Sequence, residues 1–284
     1  MTPIRCASAA LVMLVVPWTL TAQAAGGLPS FLEELGAAGH RFENLSVAVA
    51  EGYRKLGPDF PGMGEHWVNP GLVIAGELDP ARPPVLGYTF VDGDRRLVSF
   101  AYTRVLGPGE VPPAGPFPAH AWHDHTGGVD EESLLLSGPM SMDGEDNGFR
   151  LSMVHVWLGV ENPDGVLAQN NWALPYLRAG VPAPERPSSE AARALALSSE
   201  EGMAFYEELL REGVGLEGRE LDVAVAAFEE AGRQSRLRRE DPATSGGVDE
   251  TSVDDLEAVW AHLWARLEKT LSSGSVAAMA PLRS

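Results

Sequence analysis

The chain has 284 residues and is acidic, with 40 Asp and Glu against 21 Lys and Arg and a formal net charge of −19. That balance argues against nucleic acid as a partner, which needs a cationic surface, and against docking on anionic lipid. Cys6 is the only cysteine, so a disulfide framework and thiolate chemistry are excluded from everything after it.

Residues 1–24 read as a signal peptide. Arg5 supplies a positive start, residues 9–20 an apolar run too short to span a bilayer, and Ala22-Gln23-Ala24 a small-x-small cleavage site. The expectation is a periplasmic or secreted protein with no stable membrane insertion after cleavage. Cys6 would leave with the signal, so a metal site would have to use His, Asp, Glu, Met or backbone oxygen.

In chain order, residues 31–38 suggest a short amphipathic helix. Phe42, Leu45, Val49 and Tyr53 recur at helical spacing, which predicts a second helix over 42–56, ended by Gly57-Pro58. Residues 61–70 are rich in Gly and Pro and read as a shaped loop with a short strand at 66–68. Two apolar runs at 85–91 and 96–105 flank Asp92-Gly93-Asp94, a strong hairpin signal. A Gly/Pro-rich loop covers 106–118.

Residues 151–158 read as a strand that runs into an Asn162-Pro163-Asp164-Gly165 turn. Alternation puts Leu151, Met153, His155 and Trp157 on one of its faces. Pro182, Pro184 and Pro187 mark a linker. Helical patterns follow at 189–197, 200–211, 218–239 and 252–271, and the tail from 275 to 284 is expected to be disordered. The fold class is therefore α+β: a small antiparallel sheet with an N-terminal helix over residues 25–184, then a helical region over 185–274.

Candidate chemistry concentrates between residues 66 and 155, where five of the seven histidines fall. His123-Asp124-His125 on a strand would turn both imidazoles to one side, as two metal ligands from one element require. His155 could be a third ligand and His66 a fourth. Three His with an open position suit catalytic zinc, while four His, or His with Met, suit copper. Met63, Met140, Met142 and Met153 lie close in sequence and thioethers favour Cu(I). Glu65, Glu131 and Glu132 are candidate carboxylates, with Glu65 the candidate catalytic base. Trp67, Trp122 and Trp157, with Trp172, could line a small-ligand pocket, or simply pack in the core. His155 could likewise be a core histidine bonded to a carbonyl. His40 and His262 read as solvent-exposed. A nucleophile elbow, a phosphate-binding glycine loop and a dinucleotide fingerprint are all missing from the sequence.

Two blocks carry a resemblance. Gly62-Met63-Gly64-Glu65-His66-Trp67 with Asn69-Pro70 is one; His155-Val156-Trp157 with Asn162-Pro163-Asp164-Gly165 and Ala168-Gln169 is the other. Leu78-Asp79-Pro80, Pro84, Leu86 and Tyr88 keep their order between them. The chain thus resembles a family of uncharacterised, often exported bacterial proteins over about residues 41–172. The resemblance implies that His66 and His155 occupy the family's two histidine positions. It also marks two departures: Ala101 stands before Tyr102 where relatives often carry an acidic residue, and His123-Asp124-His125 is a local addition.

The sequence therefore predicts a periplasmic or secreted protein that binds a metal ion (Zn or Cu) or a small molecule at a histidine-rich site. Alternatives are a non-catalytic structural or interaction module of the cell envelope, docking a protein partner through its C-terminal helices, and a metal-dependent hydrolase.

Overall fold

A computed structural model describes residues 27–125, 149–240 and 252–283. The signal-peptide expectation for residues 1–24 falls outside them, as do Glu131, Glu132, Met140 and Met142.

The fold is α+β. Six strands form one antiparallel sheet in the order β1-β2-β3-β4-β6-β5: β1 Arg54–Phe60, β2 Gly64–Val68, β3 Val85–Val91, β4 Asp94–Leu106, β5 His123–His125 and β6 Arg150–Trp157. The β3–β4 hairpin turns at Asp92-Gly93, whose φ values of 54° and 83° are the left-handed pair a two-residue hairpin needs.

One face of the sheet is covered by N-terminal helices α1 (Leu28–Gly39) and α2 (Leu45–Ala50), with a 3-10 turn at His40–Glu43 between them. Phe31, Leu35, Phe42, Ala48 and Tyr53 meet Leu86, Tyr88, Phe100, Tyr102, Val154 and Val156 there. The Tyr88 hydroxyl donates to the Phe42 carbonyl and the Tyr53 hydroxyl to the Pro83 carbonyl, both at 2.5 Å, so this core buries no unpaired phenol from either ring.

The helix expected over 42–56 is corrected: α2 stops at Ala50, and the chain enters β1 at Arg54. Gly57 and Pro58, read as a helix terminator, lie within β1 where its register against β2 shifts between Leu56 and Asp59. Short helix α3 (Pro70–Ala75) begins where the loop expected over 61–70 ends. Its Asn69 side chain caps the Gly71 and Leu72 amides, and Pro70 opens the first turn.

The helical half comprises α4 (Leu174–Ala179), α5 (Ser189–Ala196), α6 (Glu200–Glu208), a π-helical turn at Leu209–Gly213, α7 (Gly218–Glu240), α8 (Val253–Thr270) and α9 (Ser273–Ala278). Leu256, Val259, Trp260, Leu263 and Leu267 are buried on α8, as their spacing predicts. The expected disordered tail is corrected. Residues 273–282 are helical, and Met279 and Leu282 are completely buried because they close the end of this core. Phe60 and Met63, from the sheet end, belong to the same apolar cluster. The buried Asp59–Arg178 ion pair joins β1 to α4 at that seam.

Candidate metal centre

Directly paired strand residues share a face. His66 pairs with Gly87, Gly87 with Ser99 and Ser99 with Trp157. Two residues before Trp157 on β6 is His155, two further is Met153, and Met153 pairs with His123 on β5. His66, His123, His125, Met153, His155 and Trp157 therefore share the sheet face opposite the N-terminal helices. Asp124 points the other way, where Arg150 Nε donates to its Oδ2 at 2.6 Å.

In a flat sheet β2 and β6, three strand spacings apart, would hold His66 and His155 roughly 14 Å from each other. Their ring centres are 5.8 Å apart and stacked. The sheet must curl toward this face, and the intervening strands must carry little bulk. Register shifts in β1–β2 and at Gly87/Tyr88 supply local twist. The residues between are Gly87 and Ser99 in one row and Ala101 opposite His155 in the next. A Cβ on Gly87 would stand 2.0 Å from Ser99 Oγ, so any larger residue there would displace the Ser99 hydroxyl.

Four imidazoles from three strands meet in the resulting hollow. The His123 ring centre lies 5.2 Å from that of His125 and 5.1 Å from that of His155. A tetrahedral ion bound through imidazole nitrogens would sit roughly 3.2 Å from each ring centre, placing neighbouring centres about 5 Å apart. Three neighbouring pairs come near that spacing, in the sequence His66–His155–His123–His125. Among the described residues, no three His, Cys, Asp or Glu side chains yet aim their donor atoms at one point.

All four histidines are largely withdrawn from water: His66, His125 and His155 are buried and His123 is partly so. Burial pushes His66 down to about 3, with His155 and His125 adding to the effect. Burial lowers His123 to about 2, reinforced by the other three rings. A weak backbone hydrogen bond at Ala121 opposes that lowering, as the smallest of the effects on this ring. Burial lowers His155 to about 4, against the opposing effect of its bond to Gln169. These rings are neutral at pH 7, the protonation state metal ligation requires.

His155 is the most closely positioned. The Asn162–Gly165 turn folds the chain back, with the Gly165 amide donating to the Asn162 carbonyl at 2.9 Å and the Asp164 amide to Asn162 Oδ1 at 3.0 Å. The returning segment runs beside β6, where Trp157 Nε1 donates to the Ala168 carbonyl at 2.7 Å. The Gln169 carbonyl then accepts from His155 Nδ1 at 2.6 Å. A histidine whose second nitrogen is held by a backbone carbonyl has the usual outer-shell support of a metal ligand. Asn171 ties the segment to the first block, its amide donating to the Gly62 carbonyl at 2.8 Å.

The other candidates do not join the histidines. Glu65, adjacent to His66, points to the opposite face. It accepts from Lys55 Nζ at 2.9 Å, Arg95 Nε at 2.8 Å and Trp67 Nε1 at 3.1 Å. Burial would raise its pKa, but the hydrogen bonds from Arg95, Lys55 and Trp67 prevail and hold it below the usual carboxylate range. A committed, weakly basic carboxylate on the wrong face is not a base for this site. Trp67 packs on Tyr88, and Trp122 on Phe117, both in the N-terminal core rather than around the histidines. Trp157 alone of the three stands beside the cluster, 6.4 Å from the His155 ring. His40, His120 and His262 are exposed.

A cavity of about 110 Å³ abuts the cluster, lined in part by Phe60, Met63, Gln169, Asn170, Trp172 and Arg193. Phe60 packs edge-on to His66 at 5.3 Å, and Gln169 holds His155, so its wall and the histidine support share residues. Met153, which the sequence offered only as one of several thioethers, is in direct contact with His155: its Sδ lies 3.1 Å from Nε2. No family model, curated protein or solved structure matches the chain.

Proposed function

We propose that this chain is an exported metal-binding protein of the periplasm or cell exterior, holding one zinc or copper ion between His66, His123, His125 and His155. The observation that carries the reading is the meeting of four imidazoles from three separate strands, those of His66, His125 and His155 buried and that of His123 half-buried. Strands β2, β5 and β6 bring these rings together with no carboxylate of the described residues between them, an arrangement suited to an electrophile. The acidic surface suits a soluble carrier or sensor of cations, and the adjoining cavity is large enough for water or a small co-ligand. The site's position in the resembled family fits as well, because His66 and His155 are its two histidines, and Ala101, which replaces the relatives' acidic residue, lies directly opposite His155. The added pair His123 and His125 would then stand in for that carboxylate.

Metal analysis of protein purified without a histidine tag and loaded with Zn²⁺ or copper tests the proposal. One ion per chain is expected, falling when His66 and His155 are both replaced by Ala. Stoichiometry well below one after loading refutes it. The hydrolase reading loses its base with Glu65 on the other face. Docking through the C-terminal helices lacks support too: among the described residues of the helical half, Leu237 is the one large apolar side chain that is exposed.

A further inference from the structure

We infer that Met153 is a second kind of donor in this site, a thioether beside the imidazoles, and that the ion it serves is Cu(I), held between the Met153 thioether and the histidine rings; this rests on the metal-binding reading above. The argument begins with hydrogen positions. A carbonyl can only accept, so the 2.6 Å contact with the Gln169 carbonyl places the His155 proton on Nδ1. In the neutral ring Nε2 is then a bare lone pair. It faces Met153 Sδ at 3.1 Å, and a thioether sulfur has lone pairs but no proton. Two acceptors thus face each other across 3.1 Å in a buried place, with no proton between them to make the contact favourable.

An electrophile bound by both resolves that contact. Donors at about 2.0 Å for nitrogen and 2.3 Å for sulfur stand roughly 3.0–3.5 Å apart when they share one ion at angles from about 90° to 110°. The 3.1 Å separation lies within that range. The pairing is built in by the strand: residues two apart on β6 point to one face, and His123 pairs directly with Met153 across β5–β6. Sulfur of this kind is a soft ligand that favours Cu(I) over Zn²⁺, and among the described residues the neighbouring carboxylates Glu65 and Asp124, which would favour harder ions, point away from this face. Binding donates the Nε2 and Sδ lone pairs to the metal, leaves the Nδ1 proton on its carbonyl, and involves no change of oxidation state.

The test compares wild type with Met153→Leu, a swap that nearly conserves volume. Cu(I) affinity is measured under excess ascorbate against bicinchoninate, and Zn²⁺ affinity against a chromophoric chelator. Met153→Leu is expected to weaken Cu(I) about tenfold or more while leaving Zn²⁺ within about threefold. X-ray absorption at the copper edge should show a sulfur neighbour near about 2.3 Å in wild type, lost in the variant. This second measurement on unaltered protein stands even if the variant folds poorly. Binding of zinc with no sulfur at copper, or equal Cu(I) affinity in both proteins, overturns the Met153 assignment alone. Binding of neither metal removes the histidine site itself, and this inference with it.

Discussion

Acidification of the metal-free protein is the sharpest perturbation of the histidine cluster. In the unfolded chain each imidazole titrates near 6.5, whereas burial lowers His66 to about 3, His123 to about 2 and His155 to about 4 in the fold. Above pH 6.5 these rings are neutral in both states and take nothing from stability. As the pH falls below 6.5 the unfolded chain binds protons that the fold refuses, and stability declines until the folded values are reached. Each group contributes roughly 1.4 kcal/mol per pH unit, so the three together give about 4. Asp59 acts in the opposite sense. Burial, outweighing its Arg178 partner, raises it to about 6, so the fold gains a proton the unfolded chain lacks between pH 6 and 4. The net loss across that interval is then about 3 kcal/mol per unit, large beside a typical total of about 5–15 kcal/mol. Urea melts of chelator-treated protein at pH 7, 6 and 5 measure it directly. Bound metal should delay the loss, because ligand at 100 times its dissociation constant adds about 2.7 kcal/mol. A metal-free stability that is flat from pH 7 to 5 would refute the picture of neutral, buried, mutually crowded imidazoles.

The remaining predictions concern the sheet that shapes the site. Gly87→Ala should lower stability by about 1–3 kcal/mol in urea melts, through the clash with Ser99 Oγ. Adding Ser99→Gly should recover most of it, and failure of the pair to do so would place the strain elsewhere. Glu65→Gln should cost about 1–3 kcal/mol by leaving the Lys55 and Arg95 charges without their carboxylate, yet leave metal stoichiometry at its wild-type value. A parallel loss of metal would return Glu65 to the site.

Alternation made much of the site legible from sequence, and ignoring alternation produced the misassignments. Met153, His155 and Trp157 were placed on one strand face by spacing alone, and the structure keeps them there. The same rule, applied to β2, puts Glu65 and Trp67 on the face opposite His66, and applied at the start of β5 it separates Trp122 from His123. Nearness along the chain was taken there as nearness in space. The β3–β4 hairpin was legible because Asp-Gly has few alternatives to a tight turn. Strand β1 was not, because the apolar spacing of Phe42, Leu45 and Val49 is helical up to α2, and only the turn after Ala50 hands the chain to an extended segment. The helical order of residues 273–282 was hidden by a sequence of small residues. What fixes it is the burial of Met279 and Leu282 against a core assembled from distant segments.

The meeting of His66 and His155 was the one feature no local pattern could supply. It depends on two strands between them carrying Gly87, Ser99 and Ala101 where bulk would fill the hollow. Those small residues look unremarkable in sequence, since each has ordinary uses in a sheet. In the fold they leave room for the imidazoles to approach one another, beside a small apolar cluster of Val68, Val85, Ala101, Leu151 and Met153 on the same face. The larger apolar clusters lie on the opposite face, beneath α1 and α2, and at the seam where Phe60 and Met63 meet the helices. A sheet that divides its bulk in this way does not depend on the histidine face for its main apolar core. That face is free to hold polar rings that a folding core alone would not select.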